Sequence, residues 1–117
     1  MANPNIVNVT TITGKTAVQA VGTSATAIIT NSAASDKVLK VNALYISNVD
    51  GTNTAEISVD IYRSSTAYHV VKTVVVPADA TLDVLSKAVY LEEGDALRLT
   101  ASVASDLEAV CSYEEIS

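Results

Sequence analysis

The stretch AEISVDIY, residues 55–62, constrains the fold more than any other. Ile57, Val59 and Ile61 take alternate positions, and Glu56, Ser58, Asp60 and Tyr62 fill the gaps. A period of two puts the aliphatic side chains on one face of a strand and the polar ones on the other. The period returns in DALRLTASV, where Leu97, Leu99, Ala101 and Val103 alternate with Arg98, Thr100 and Ser102. It returns again in DLEAVCSYEE, where Leu107, Ala109, Cys111 and Tyr113 point one way and Val110 interrupts an otherwise polar face. No segment shows a helical period. The chain contains neither Phe nor Trp, so its core must be built from Val, Ile, Leu and Ala with Tyr as the only ring. β-Branched side chains suit a pleated sheet. The expectation is an all-β protein.

The breaks between strands support a sandwich. NVDGTNT (48–54) carries Asp50-Gly51, a hairpin signal, between KVLKVNALYIS and TAEISVDIYR. Arg63-Ser64-Ser65-Thr66 is the next polar break, and Pro77 ends a long strand. Gly94 turns the chain between AVYL and ALRLTASV, and ASD at 104–106 closes a last hairpin. HVVKTVVV is apolar on both faces, which places it centrally in a sheet or under an outer cover. Breaks recurring at this spacing predict an antiparallel two-sheet sandwich, jelly-roll or immunoglobulin-like, of about eight strands over residues 24–114. A length of 117 residues fits one domain with a real core, here residues 24–117.

Residues 1–23 differ. They are rich in Thr, Val and Asn and alternate only loosely. They read as one or two edge strands, or as an extended arm that lies on a neighbouring subunit. In the arm reading, Ile6, Val7, Val9 and Ile12 offer apolar side chains, and their backbone could add a strand to a neighbour's sheet.

Composition excludes several function classes. Seven basic and thirteen acidic residues give a net charge of −6, opposite to the basic footprint of a nucleic-acid binder. No apolar run approaches the length of a membrane helix, and the N-terminus lacks the pattern of a signal peptide. Asn8-Val9-Thr10 fits a glycosylation sequon, which carries little weight without such a signal. One Cys cannot form an internal disulfide.

The candidate chemistry is sparse. Gly14-Lys15-Thr16 resembles the end of a phosphate loop, but Val9 stands where the loop needs its first glycine, and no helix follows. Gly14 reads instead as a bend in extended chain. His69 and Cys111 are the only nucleophile or base candidates, and each falls inside a strand rather than on a loop. Glu92, Glu93 and Asp95, and Glu114 with Glu115, supply too few converging oxygens for a hard cation; the NVDGTN loop is the best calcium candidate. Of Tyr45, Tyr62, Tyr68, Tyr90 and Tyr113, the strand pattern sets Tyr62 and Tyr90 outward, where rings could stack on sugars. No catalytic, cofactor-binding or metal-ligating residue is expected.

VNALYISNVDGTNTAEISVDIYRSSTAYHV, VPADATLDVLSKAVYLEEGDALRLTAS and DLEAVCSYEEIS together resemble small virion structural proteins of tailed bacteriophages, notably those of marine and freshwater cyanobacteria. The similarity spans nearly the whole chain, and YLEEGD-LRLTAS is a pattern that several viral β-sandwich families share. It implies a non-enzymatic particle protein present in many copies and made in the host cytoplasm. The role implied is a capsid decoration or cement protein, with a neck, tail or fibre-base component as the alternative. A host-glycan adhesin is the third reading. The expected partners are other copies of the chain, in a trimer by analogy with viral decoration proteins, and other virion proteins such as the major capsid protein.

Overall fold

Nine strands and no helix build the chain in a computed structural model that describes residues 4–117. They are β1 (Ile12–Ala20), β2 (Thr26–Thr30), β3 (Val38–Asn48), β4 (Ala55–Arg63), β5 (Thr66–Val76), β6 (Thr81–Asp83), β7 (Val89–Leu91), β8 (Ala96–Ala101) and β9 (Leu107–Ile116). All ladders are antiparallel. One sheet runs β1-β9-β3-β6, with β7 also paired to β3; the other runs β2-β8-β4-β5. The protein is thus an all-β, antiparallel two-sheet sandwich.

The pairing is nested. β4 pairs with β5, β3 with β6 and β7, β2 with β8, and β1 with β9. The chain behaves as one long hairpin doubled back at Ser64-Ser65 and rolled into two sheets. That is a jelly roll, and the immunoglobulin-like alternative does not have this order. Only the innermost reversal is a true hairpin. Asp50-Gly51, Gly94 and residues 104–106 each carry the chain from one sheet to the other. The hairpin reading of Asp50-Gly51 and of residues 104–106 is therefore corrected, while Gly94 turns the chain as expected. The turn residues reverse the chain locally, but the strands they join pair elsewhere.

Side-chain amides hold the crossings. Asn48 is buried, and its Nδ2 donates to Asn53 O (2.9 Å) and Val76 O (3.0 Å) while its Oδ1 accepts from Asp50 N (2.9 Å). At the other end of the sandwich, buried Asn31 donates to Lys37 O (2.8 Å) and Leu91 O (3.0 Å) and accepts from Ser35 Oγ. Each amide gives one carbonyl at a strand end and one in a connecting segment the partners that a ladder would supply.

The core lies between the sheets. Ile57, Val59, Leu97, Leu99 and Leu107 are fully buried, as their alternation requires, together with Leu44, Ile46 and Leu91. Ile61 packs against this core but stays half-buried. HVVKTVVV lies in the edge strand β5, not at a sheet centre, so Val75 stays exposed. Two register shifts against β4 and a positive φ of 48° at Thr73 kink it. Such bulges are a usual way to blunt an edge.

The innermost turn is clamped from outside. Ser64 and Ser65 both have positive φ (52° and 61°), the geometry of a type I′ turn, which Asn and Gly adopt more easily than Ser. Beside it, Arg63 grips Asp95 at 2.7 and 2.6 Å and also reaches Glu92 at 3.0 Å. The Asp95 side chain is 1% exposed. Burial pushes its pKa up, but the Arg63 hydrogen bonds, the Glu92 N–H and the Arg63 charge together outweigh burial and hold it below the usual value. A depressed carboxyl pKa means that this stabilisation is complete above about pH 4 and is lost as pH falls through the folded-state value. Arg63→Ala leaves a buried carboxylate uncompensated. The expected cost is about 2–3 kcal/mol, below that of a fully sealed pair because Arg63 is half exposed. Thermal melts from pH 3 to 7 check this: the gap between parent and variant should be widest above about pH 4 and should narrow as pH falls, because acid removes from the parent a pairing the variant never had.

The N-terminal segment divides in two. Residues 12–20 form β1 and pair along their whole length with β9 of the same chain. This narrows the arm expected over residues 1–23, whose first three residues lie outside the described ones. Ala17 packs on the core and Val21 is buried, so the ladder and the core together draw this stretch in. Residues 5–8 turn on themselves, with Asn8 N donating to Asn5 O at 3.0 Å and Val7 N to Asn5 Oδ1 at 3.0 Å.

Candidate functional site

The candidate chemical groups do not converge. Gly14, Lys15 and Thr16 sit inside β1, opposite Glu114, Tyr113 and Ser112. The bend expected at Gly14 is corrected to continuous strand, because β9 supplies an unbroken partner. Lys15 Nζ points to Glu115 (3.2 Å), which also accepts from Lys37 at 2.9 Å. The Lys37 hydrogen bond is the main cause of the lowered Glu115 pKa. His69 is exposed on β5 of one sheet, and Cys111 faces the core from β9 of the other. Burial raises the Cys111 thiol to about 11, far from the thiolate range of a nucleophile.

The acidic residues act locally. In the NVDGTN loop, Asp50 Oδ1 accepts from Thr52 N (2.7 Å) and Asn53 N (3.1 Å), and these bonds lower its pKa. The carboxylate shapes the loop as an Asx turn. Among the described residues, no group of three or more His, Cys, Asp or Glu is placed to hold a metal ion. The tyrosines are scattered. Tyr62, expected outward, lies under the Arg98 guanidinium at 3.9 Å from its ring centre, and Arg98 also holds buried Asp60 at 2.9 Å. Tyr90 is exposed as its strand pattern indicates, and so are Tyr45 and Tyr68, but Tyr68 belongs to the other sheet. Exposed rings on both sheets do not make one stacking platform.

What the fold does assemble is an open edge. β1 ends its sheet, and among the described residues β9 is its only strand partner. Thr11 and Ser117 exchange backbone hydrogen bonds of 3.0 Å each, and Val21 N donates to Leu107 O at 2.9 Å at the far end. Hydrogen-bonding positions alternate along an antiparallel ladder, and this ladder has no register shift. Odd-numbered residues of β1 therefore turn their N–H and C=O to β9. Ile12, Gly14, Thr16, Val18 and Ala20 turn theirs to the free edge. The other sheet edges are bulged, short or interrupted: β5 is kinked, β2 has five residues and a shift, and β6 and β7 have three residues each.

An apolar row continues from this edge across the outer face of the sheet. Val18 lies opposite Val110, and Val110 opposite Tyr45. Their exposures are 73%, 40% and 43%. Beside the row runs a groove of about 350 Å³ lined by Val18, Gln19, Ala20, Glu108, Ala109 and Val110. Of the expected arm residues, Ile12 joins this edge and is exposed, while Ile6 and Val7 are exposed in the preceding turn and Val9 is half-buried. Val110 had already shown itself in the sequence as the interruption of a polar face. Its neighbours Val18 and Tyr45 could not be read there, because cross-strand register places them.

No family model matches the chain, and no curated protein does. Among solved structures, the chain is similar to a subunit of Bacillus endospore appendages, described as a novel family of disulfide-linked pili. The similarity covers 100% of this chain and 96% of that one, at 14% identity and a TM-score of 0.55. At that identity the likeness bears on the β-rich fold alone.

Proposed function

We propose that this chain is a non-enzymatic structural subunit of a tailed-phage virion, a decoration or cement protein on the capsid shell. The observation that carries the reading is the uninterrupted nine-residue edge of β1, with an uncharged outer side that runs into Val18, Val110 and Tyr45. An open edge of this kind is a template for strand pairing between subunits. The sequence resemblance supplies the virion, with the major capsid protein as the surface to be decorated. The single Cys111 is sealed in the core, so pairing between copies would not use a disulfide from it. The trimer comes from the resemblance alone, and the edge geometry favours an even number of copies, as argued below.

Electron cryo-microscopy of the particles that incorporate the chain tests the reading. Repeated density for the sandwich over the capsid faces is the expected result. Density confined to the neck or tail would select the alternative role. A chain absent from particles that instead binds host polysaccharide would overturn the proposal in favour of an adhesin.

A further inference from the structure

We infer that two copies of the chain pair through β1 about a two-fold axis at Thr16, joining their first sheets into one. The inference rests on the reading of the chain as a self-associating subunit, but it is tested on the isolated protein. Four observations lead to it. The free N–H and C=O groups of β1 belong to Ile12, Gly14, Thr16, Val18 and Ala20, so antiparallel pairing with a second copy must match even residues with even residues. A register centred on Thr16 uses the whole strand: Ile12 meets Ala20 of the second copy, Gly14 meets Val18, and Thr16 meets itself. A register one residue shorter would set Lys15 directly against Lys15, which like charges disfavour. The Thr16 register sets Lys15 opposite Ala17 instead, with Lys15 held to its own Glu115 at 3.2 Å.

Shape and charge then fit a second copy. The groove beside Ala20 and Val18 is lined by residues of β1 and β9 and opens at the edge strand. In this register Ile12 of the second copy, 58% exposed in the single chain, stands beside Ala20 on the same face and covers the groove. Val18 stands over Gly14, which has nothing within 4 Å of the position a Cβ would take. The chain carries a net charge of −6, so most of its surface repels another copy. The strand ITGKTAVQA carries only one charge, a positive one. The pairing is isologous and closes on itself, as most homodimers do.

The test uses the full chain with Thr16→Lys and Thr16→Glu. Light scattering after size exclusion should give the parent twice its 12.2 kDa chain mass. Each variant alone places like charges on the axis and should raise the dissociation constant by about tenfold or more. An equimolar mixture should restore a one-to-one dimer by native mass spectrometry, because position 16 faces its own copy only in this register. Circular dichroism and melting curves must show both variants folded; if either is not, Val18→Lys, at a highly exposed site, replaces it and should also give a monomer. A parent that is monomeric or trimeric, folded variants that still dimerise, or a mixture that stays monomeric would each overturn the pairing. Whether the chain decorates a particle is decided separately, by its density on the virion.

Discussion

Removing residues 1–22 should abolish cooperative folding, whereas removing residues 1–9 should leave the melting temperature within about 2 °C. The longer deletion strips β1 from the full length of β9, deletes buried Val21 and uncovers the core behind Ala17. It also frees the edge of β9, a ten-residue strand, as a template for aggregation. The shorter deletion keeps Thr10 and Thr11, whose N–H groups close onto Ser117 O at 2.7 and 3.0 Å. Among its described residues it loses the turn at 5–8 and half-buried Pro4 and Val9. Thermal melts of the two truncations decide between a built-in strand and a free arm. A stably folded chain lacking residues 1–22 would restore the arm over its whole expected length.

Leu99→Ala should destabilise the protein by about 2–5 kcal/mol. Leu99 is fully buried on β8, an inner strand of its sheet, flanked by β2 at Thr26 and β4 at Val59. The fully buried neighbours are Val, Ile and Leu, whose short side chains cannot reach far into the space left by the lost side chain. Cavities that cannot collapse lie at the costly end of the range. Urea melts should show a lower midpoint with an unchanged slope. A cost below about 1 kcal/mol would mean that the two sheets are packed less closely than the burial of this position requires.

Much of the fold was legible because a strand states its own faces. The alternation in AEISVDIY and DALRLTASV identified the buried sides of β4 and β8 at most positions; Ile61 is half-buried, Val103 is exposed beyond the end of β8, and Asp60 on the polar side is buried where Arg98 holds it. Eight strands do follow residue 24, and Pro77 does end β5. The errors cluster where partners, not faces, had to be named. Asp50-Gly51 carries the chemistry of a hairpin turn, yet β3 and β4 belong to different sheets. HVVKTVVV has the composition of a central strand and lies at an edge. Gly14 looked like a bend because the strand that straightens it, β9, is about a hundred residues further along the chain.

The candidate surface divides in the same way. The interruption at Val110 and the exposed Ile12 could be found in the sequence; the row from Val18 to Tyr45 could not. Alternation of side chains is a property of a few consecutive residues, so the sequence by itself determined that the protein is all-β, where most strands lie and which side chains line the core. The partner of each strand depends on segments far apart in the chain being brought together, and no local residue specifies it. The tertiary structure therefore decided the nested jelly-roll pairing, the Arg63–Asp95 clamp on its innermost turn, and the one thing that bears most on function: that, among the described residues, β1 has a strand partner on one side only.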